Sequence, residues 1–305
     1  MGDSLANLRR KIGSATELQS VVRTMKALAA ASIGQYEQSV LALSDYYRTV
    51  EHGLGVCFRQ PAATNGIPPA SAPADRGVTV IVVFGSDQGL VGQFNDIVAR
   101  HALHTLAGLQ GETMVWAVGE RVNARLADAG ITTAGLFNLP GSVQAITPLV
   151  WEILASTERP RGNRHVGSLY LCFNEPISGA GCAPTSLRLL PLDDAWQRGL
   201  ARQPWPGHNL PEVIGDAGTT LLALIREYLF VSIFRACAES LASENASRLA
   251  AMQRADKNIE NLLHTLNGHF RRLRQDSIDE ELFDVVTGFE ALNKPLPANR
   301  DEHEP

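Results

Sequence analysis

The distribution of proline is the feature that most restricts how this chain can fold. None of its 16 prolines lies before Pro61, and none lies between Pro211 and Pro295. Proline removes a backbone donor and clashes with the preceding turn, so helix interiors normally exclude it. The middle of the chain is therefore interrupted by breaks, whereas the sequence predicts a long helix at each end.

Apolar residues in the first segment recur at steps of three and four, which is the spacing of one helix face. They are Leu5, Leu8, Ile12, Ala15, Leu18, Val22, Met25, Ala29, Ile33, Tyr36, Val40, Leu43, Tyr47, Val50 and Leu54. Such a stripe is typical of a helix that lies along a partner helix over many turns. At 1.5 Å per residue this helix would extend roughly 80 Å, which is longer than a compact single-core domain.

The last segment repeats this pattern, with a weak stretch from Ala236 to Gln253. Its apolar positions are Leu222, Ile225, Leu229, Ile233, Ile259, Leu262, Leu266, Phe270, Leu273, Ile278, Leu282, Val285, Phe289 and Leu292. In the weak stretch the expected face consists of alanines, which permit close helix approach but bury little area, so this face indicates either tight packing or engagement by a partner. A helix this long cannot bury its stripe alone, so an antiparallel pair with the N-terminal helix is predicted.

The middle region has the pattern of a doubly wound α/β domain. VTVIVVF, at 78–84, is a β-branched run typical of a central parallel strand, and 112–119 and 167–173 repeat its character. Helical segments lie between these runs, and 186–192 would add an edge strand. The sequence predicts an N-terminal helix at 1–59, a linker at 60–77, the α/β domain at 78–195, a C-terminal helix at 210–293 and a tail at 294–305.

Composition excludes several classes of protein. The net charge of −5 does not suit a chain whose main partner is nucleic acid. No apolar window is long enough for a membrane span, and the N-terminus lacks the apolar core of a signal peptide, so a cytoplasmic location is expected. Cys57, Cys172, Cys182 and Cys237 form no CxxC pair and are expected to be buried thiols. The sequence predicts no metal, no cofactor and no catalytic nucleophile.

A glycine-rich turn, GSDQGLVGQFN at 85–95, follows the first strand and opens a helix. Dinucleotide and phosphate sites form at such places, but the spacing is G-x-x-x-G-x-x-G and no Gly-Lys-Ser/Thr sequence follows. A structural turn is therefore favoured, in which Asp87 and Asn95 brace the backbone. The alternative is a cytosolic nucleotide-binding enzyme with a helical dimerisation arm.

Charged residues are concentrated on both end segments. Basic residues lie at Arg9, Arg10, Lys11, Arg23 and Lys26, and Arg271, Arg272 and Arg274 precede an acidic run that contains Asp276, Asp279, Glu280, Glu281 and Asp284. These residues could form solvated helix faces or contact sites for protein loops of opposite charge. A basic coiled-coil adaptor for nucleic acid fits poorly with the net charge.

Three regions of the chain resemble the gamma, or central-stalk, subunit of the rotary F-type ATP synthase. The first is NLRRKIGSATELQSVVRTMKALAAASI, which carries Arg23, Thr24, Met25, Lys26 and Ala29. The second is FGSDQGLVGQFN, which carries the turn residues Ser86, Asp87, Gly89, Leu90, Gly92 and Asn95. The third and most specific runs from Glu239 to Gly288 and includes Leu241, Ala242, Ser243, Glu244, Arg248, Met252, Ala255, Asn258, Leu262, Arg274, Gln275, Ile278, Glu281 and Leu282.

This resemblance implies a coiled-coil shaft with an inserted Rossmann-like domain, in a subunit that does no bond chemistry. Its implied partners are the alpha and beta subunits, the epsilon subunit and the membrane c-ring, at the cytoplasmic face of the bacterial inner membrane. By residue matching, beta-subunit loops would contact Met25 and Lys26. The hexamer cavity would contact Arg274, Gln275, Asp276 and Glu281, and Arg9 and Arg10 are further interface candidates. Hexamer subunits, more than self-packing, would hold the alanine-rich stretch from Ala236 to Gln253.

Two residues depart from the family pattern. Asp279 stands where threonine is usual, and Phe289 stands where alanine is usual. The linker at 60–77 is also longer than is usual. These departures suggest a divergent branch, such as an alternate ATPase encoded beside a conventional one.

Overall fold

The computed structural model of the chain describes residues 4–60, 77–158, 165–177, 181–209 and 211–292. The predicted linker at 60–77 lies almost wholly outside these residues, and the predicted tail at 294–305 lies wholly outside them. In chain order the elements are α1 (Leu5–Phe58), β1 (Val78–Phe84), α2 (Phe94–Ala107), β2 (Thr113–Val118), α3 (Glu120–Asp128), β3 (Gly135–Phe137), a 3₁₀ turn (Val143–Ala145), α4 (Ile146–Glu158), β4 (Val166–Ile177), β5 (Gly181–Leu190), α5 (Asp194–Arg202) and α6 (Ala217–Leu292).

The chain divides into two compact units. The first contains residues 1–24 and 254–305, and the second contains residues 25–253. In the first unit Leu8, Ala15 and Val22 of α1 are buried at intervals of seven residues, as in a coiled-coil seam, and Ile259 of α6 is also buried. Asp256 of α6 accepts hydrogen bonds from Gln19 and Arg23 of α1, each at 3.2 Å.

Two predictions for this unit are wrong. Leu18 of α1 and Leu262 of α6 were expected on the buried face, but they are 54% and 50% exposed. The last stripe of α6 is also uncovered: Ile278, Leu282, Val285 and Phe289 are all exposed. Within the described residues, burial of α6 in this unit therefore ends well before its apolar pattern does.

In the second unit α1 and α6 form an antiparallel pair, as predicted. Tyr46 donates its hydroxyl to Glu227 at 2.7 Å, and the rings of Tyr47 and Tyr228 lie 6.0 Å apart. A Cβ atom added at Gly53 would lie 3.2 Å from the side chain of Leu224, so this leucine packs directly against the glycine. Later residues of α1 therefore lie opposite earlier residues of α6, so the two helices run antiparallel.

The sheet has the strand order β3-β2-β1-β4-β5 and is parallel except for β5, which pairs antiparallel with β4. All seven residues of β1 are buried, as its continuous apolar run predicts. One face of the sheet packs against α2 and α3, while the other shares a core with α4, the end of α1 and the start of α6. This is the predicted doubly wound architecture.

Two short elements were not assigned from the sequence. Strand β3 has three residues, which is too short to show a period of two. Helix α5 has nine residues and begins where the Asp193 carboxylate accepts a hydrogen bond from the backbone N–H of Ala195. Helix α6 begins at Ala217, after Gly215 at φ +90° and a cap in which Asp216 accepts from Thr219 N–H at 2.7 Å.

The weak, alanine-rich stretch of α6 is the most deeply buried part of that helix. Ala236, Cys237, Ala238, Leu241 and Ala242 are at most 3% exposed and belong to the sheet core. The expectation that partner subunits, more than self-packing, hold this stretch is therefore wrong for its first part. Small side chains let the helix approach closely, and the sheet and α1 supply the area that the alanines lack.

Candidate functional site

The predicted turn residues are brought together after β1. The backbone N–H of Ser86 donates to Asn95 Oδ1 at 3.0 Å, and Asn95 Nδ2 donates to Ser86 Oγ at 2.8 Å. Both side chains are buried. The Asp87 carboxylate accepts from the backbone N–H of Glu120 at 2.9 Å, at the start of α3. The polar groups of these three side chains form hydrogen bonds within the protein itself, which is typical of a structural turn.

The glycines of the turn have unequal structural roles. Gly92 adopts φ +61° and Leu90 adopts φ +63°, a left-handed conformation that glycine tolerates best. A Cβ atom at Gly89 would meet nothing within 4 Å. At Gly85, which was not selected from the sequence, it would lie 2.2 Å from the Val122 side chain. Close packing of the strand against α3 therefore requires glycine at 85, and no local pattern signals this contact.

The sheet has its topological switch point between β1 and β4. In open α/β sheets, ligands bind in the crevice beyond the carboxyl ends of the strands at this point. Here Asn174 of β4 lies just beyond the register pair Val83–Cys172, beside the turn. Its Nδ2 donates to the backbone oxygen of Phe94 at 3.1 Å, and Ser243 of α6 donates its hydroxyl to the Asn174 backbone oxygen at 2.9 Å. Helix α6 therefore covers the crevice in which a nucleotide would bind.

A buried ion pair follows on the same helix. Glu244 is 3% exposed, and its Oε1 accepts from Arg248 Nη2 at 2.5 Å. Burial raises the pKa of Glu244, the Arg248 guanidinium opposes this rise, and the negative charge of Asp87 adds to it. The turn after β1 thus lies close to Glu244, which belongs to the region Glu239–Gly288 that resembles the gamma subunit. We call Asn174, Ser243 and Glu244 the joint between the sheet and α6.

A separate cleft of about 370 Å³ opens beside the turn. Two arginines, Arg121 and Arg125, line it together with two aspartates, Asp96 and Asp128. Arg125 pairs with Asp96 at 3.0 Å and with Asp128 at 3.5 Å. Because opposite charges alternate around this cleft, its lining does not favour a phosphate group.

The predicted interface residues lie on three stretches of helix. Arg9 and Arg10 are exposed near the start of α1, where Arg10 donates to Asn7 Oδ1 at 3.1 Å. Met25 and Lys26 are half-buried in α1. The third stretch is the exposed set Arg274, Gln275, Asp276 and Glu281 of α6. The exposed residues are accessible to a partner, and no local distortion sets them apart from their neighbours.

Apolar side chains near the end of α6 are an exposed feature that charge patterns did not identify. Phe283 is 77% exposed, Val285 is 69% exposed and Phe289 is 67% exposed. Contiguous exposed apolar residues on a helix mark an interaction surface. No helix in the described ranges has the length and apolarity to cross a bilayer.

Comparison with known proteins matches this arrangement to one family. The family model for ATP synthase matches residues 4–292. The chain belongs to the ATP synthase gamma-chain family. It is 28% identical over 300 residues to the ATP synthase gamma chain of Anaeromyxobacter sp. (strain Fw109-5), covering 95% of this chain and 99% of that relative. It is 27% identical over 298 residues to the gamma chain of Pelotomaculum thermopropionicum, with the same coverage.

Solved structures share the fold of this gamma-chain family member. A chain of the Euglena gracilis mitochondrial ATP synthase, from a structure of its OSCP, F1 and c-ring parts, aligns with a TM-score of 0.60 at 16% identity. The alignment covers 98% of this chain and 99% of that chain. A chain from the central stalk and c-ring of the Tetrahymena thermophila enzyme aligns with a TM-score of 0.55 at 16% identity, covering 77% and 99%.

Proposed function

We propose that the chain is the central rotor shaft of an F-type ATP synthase, which couples ion flow across a membrane to conformational cycling of the catalytic beta subunits. The observation that carries this proposal is the family match over residues 4–292, which spans both long helices and the domain between them. The subunit itself is non-catalytic. Its rotation would favour different nucleotide affinities in successive beta subunits, because each rotary position contacts them differently.

The partners follow from this assignment. The alpha and beta subunits would surround the helices, and the epsilon subunit and the membrane c-ring would bind the α/β domain, at the cytoplasmic face of the bacterial inner membrane. The exposed apolar side chains from Leu282 to Phe289 suit a protein cavity that excludes water. Beta-subunit loops would contact Met25 and Lys26, and the hexamer cavity would contact Arg274, Gln275, Asp276 and Glu281. Arg9 and Arg10 would add charge to the same interface.

Co-expression with alpha and beta subunits tests the proposal. The chain is expected to co-purify with both, and the complex is expected to hydrolyse ATP faster than alpha and beta subunits without it. Gln275→Ala and Asp276→Ala should reduce this stimulation, whereas Arg198→Ala on exposed α5 serves as the matched control. A chain that stays separate from both subunits would contradict the shaft assignment.

The enzyme alternative makes the opposite prediction for nucleotides. The crevice at the switch point is covered by α6 through the bond between Ser243 and Asn174. Calorimetric titration of the purified chain with ATP, ADP or NAD is therefore expected to show no binding at micromolar concentrations. Tight binding of any of these ligands would favour the alternative.

A further inference from the structure

Three buried side-chain oxygen atoms lack a hydrogen-bond partner among the described residues. They are Asn174 Oδ1, Ser240 Oγ and Glu244 Oε2. Asn174 is 0% exposed, Ser240 2% and Glu244 3%, so bulk water does not reach them. A buried polar atom without a partner costs about 1–3 kcal/mol, and native proteins satisfy nearly all such atoms with protein groups or internal water.

The three residues belong to two segments, β4 and α6, which the bond from Ser243 to Asn174 joins. Ser240 and Glu244 are four residues apart on α6 and therefore share a helix face. Ser243, which lies between them in sequence, bonds to the backbone oxygen of Asn174 at 2.9 Å. An N–H of Asn174 Nδ2 donates to the backbone oxygen of Phe94, whereas the acceptor Oδ1 of the same amide has no partner among the described residues.

The charges around the joint restrict what could bind there. The Glu244 carboxylate uses Oε1 for Arg248, so the guanidinium compensates its charge. Asp87 acts on Glu244 from the turn after β1, while Tyr36 of α1 and Cys237 of α6 are its other titratable neighbours. Because Arg248 already pairs with Glu244, this carboxylate carries little uncompensated charge with which to hold a cation. A neutral ligand that donates two hydrogen bonds and accepts one would match the two acceptor oxygens and the hydroxyl.

Water has this capacity and no other small neutral molecule is as compact. We propose that the crevice between β4 and α6 is a built site for a bound water molecule, which donates to Glu244 Oε2 and Asn174 Oδ1 and accepts from Ser240 Oγ. Buried waters in proteins typically make about three hydrogen bonds to polar groups of this kind. The water joins the end of the sheet to the long helix at the place where other doubly wound folds hold a ligand.

A crystal or cryo-EM structure of the full-length chain in its assembled complex, at a resolution that places ordered water, tests this site. The expected result is a density peak at about 2.7–3.2 Å from the three oxygen atoms. Two results would overturn the proposal. One is continuous protein packing with Glu244 Oε2 bonded directly to a protein group. The other is a peak with six or more oxygen ligands at about 2.3–2.6 Å, which would identify a cation.

A pair of variants tests the three-partner assignment separately. In Ser240→Ala the peak should weaken, because one of its three partners is lost. Ser44→Ala is the matched control, since that hydroxyl bonds to the Leu41 backbone oxygen within α1 at 2.7 Å and should leave the peak unchanged. An undiminished peak in Ser240→Ala would overturn the assignment of Ser240. The wild-type structure decides the presence of the water whether or not the variant folds.

Discussion

The hydroxyl of Ser243 in α6 donates to the backbone oxygen of Asn174 in β4 at 2.9 Å, and both residues are fully buried. The bond joins two residues that lie 69 positions apart in the chain. It fixes the long helix over the switch point of the sheet. The stability of this joint, and therefore the position of α6 over the crevice, depends on individual side chains. Each of them can be substituted separately.

Removal of this hydroxyl should destabilise the fold. Ser243→Ala leaves a buried backbone acceptor with one fewer donor, so the free energy of unfolding should fall by about 1–3 kcal/mol. Urea unfolding of the full-length chain, followed by tryptophan fluorescence, measures the change. Ser44→Ala is the control, because its exposed hydroxyl bonds only to the Leu41 backbone oxygen of its own helix. A loss no larger than that of the control would show that the joint is not held by this bond.

The Glu244 carboxyl should make stability depend on pH. Burial raises its pKa above the ordinary value of 4.5, so the folded chain binds the proton more tightly than the unfolded chain does. Its contribution to stability is therefore complete below pH 4.5 and is lost as pH rises through the folded pKa. Glu244→Gln cannot titrate, so its unfolding free energy relative to wild type should increase with pH across this window and then stay constant.

Urea unfolding at several pH values between 4 and 8, chosen to bracket this window, measures that difference. Glu158→Gln is the control for loss of a carboxylate at the surface, since Glu158 is 62% exposed in its pair with Arg226. A difference between Glu244→Gln and wild type that falls as pH rises would contradict the raised pKa.

Two glycines of the turn should respond differently to the same substitution. In Gly85→Ala the new Cβ would lie 2.2 Å from the Val122 side chain, and α3 could relieve the clash only by moving away from the sheet. A loss of about 1–3 kcal/mol is expected from such overpacking. In Gly89→Ala the Cβ meets open space, so stability should change by less than about 0.5 kcal/mol. Thermal unfolding of both variants checks the contrast, and equal losses would refute it.

The exposed end of α6 should matter for assembly and little for folding. Leu282→Ser and Phe289→Ser alter side chains that are 59% and 67% exposed, so the unfolding free energy should change by about 0.5 kcal/mol or less. Co-purification with alpha and beta subunits should nevertheless decrease, because the apolar area available to the hexamer cavity is lost. Leu136→Ser, in the α/β domain, is a control of similar exposure at 48%. If the α6 variants assemble as well as wild type does, the exposed apolar residues from Leu282 to Phe289 are not part of the interface.

Local sequence patterns were sufficient for the elements that form long, regular runs. The apolar stripe at steps of three and four predicts the long helix α1, and the β-branched run at 78–84 predicts the central strand. Strand β3 and helix α5 could not be assigned, because three and nine residues carry too little periodicity. The sequence predicted a structural role for the turn at 85–95. Ser86, Asp87 and Asn95 form hydrogen bonds within the chain at this turn.

The sequence by itself determined the two long helices, the doubly wound sheet and the family, because proline positions, periodicity and motifs are local properties of the chain. Only the tertiary structure decided which faces are buried. The alanines of α6 are covered and its last apolar stripe is exposed, because burial depends on what the rest of the chain brings alongside. The need for glycine at 85 and the joint of Asn174, Ser243 and Glu244 likewise arise from contacts between residues distant in sequence.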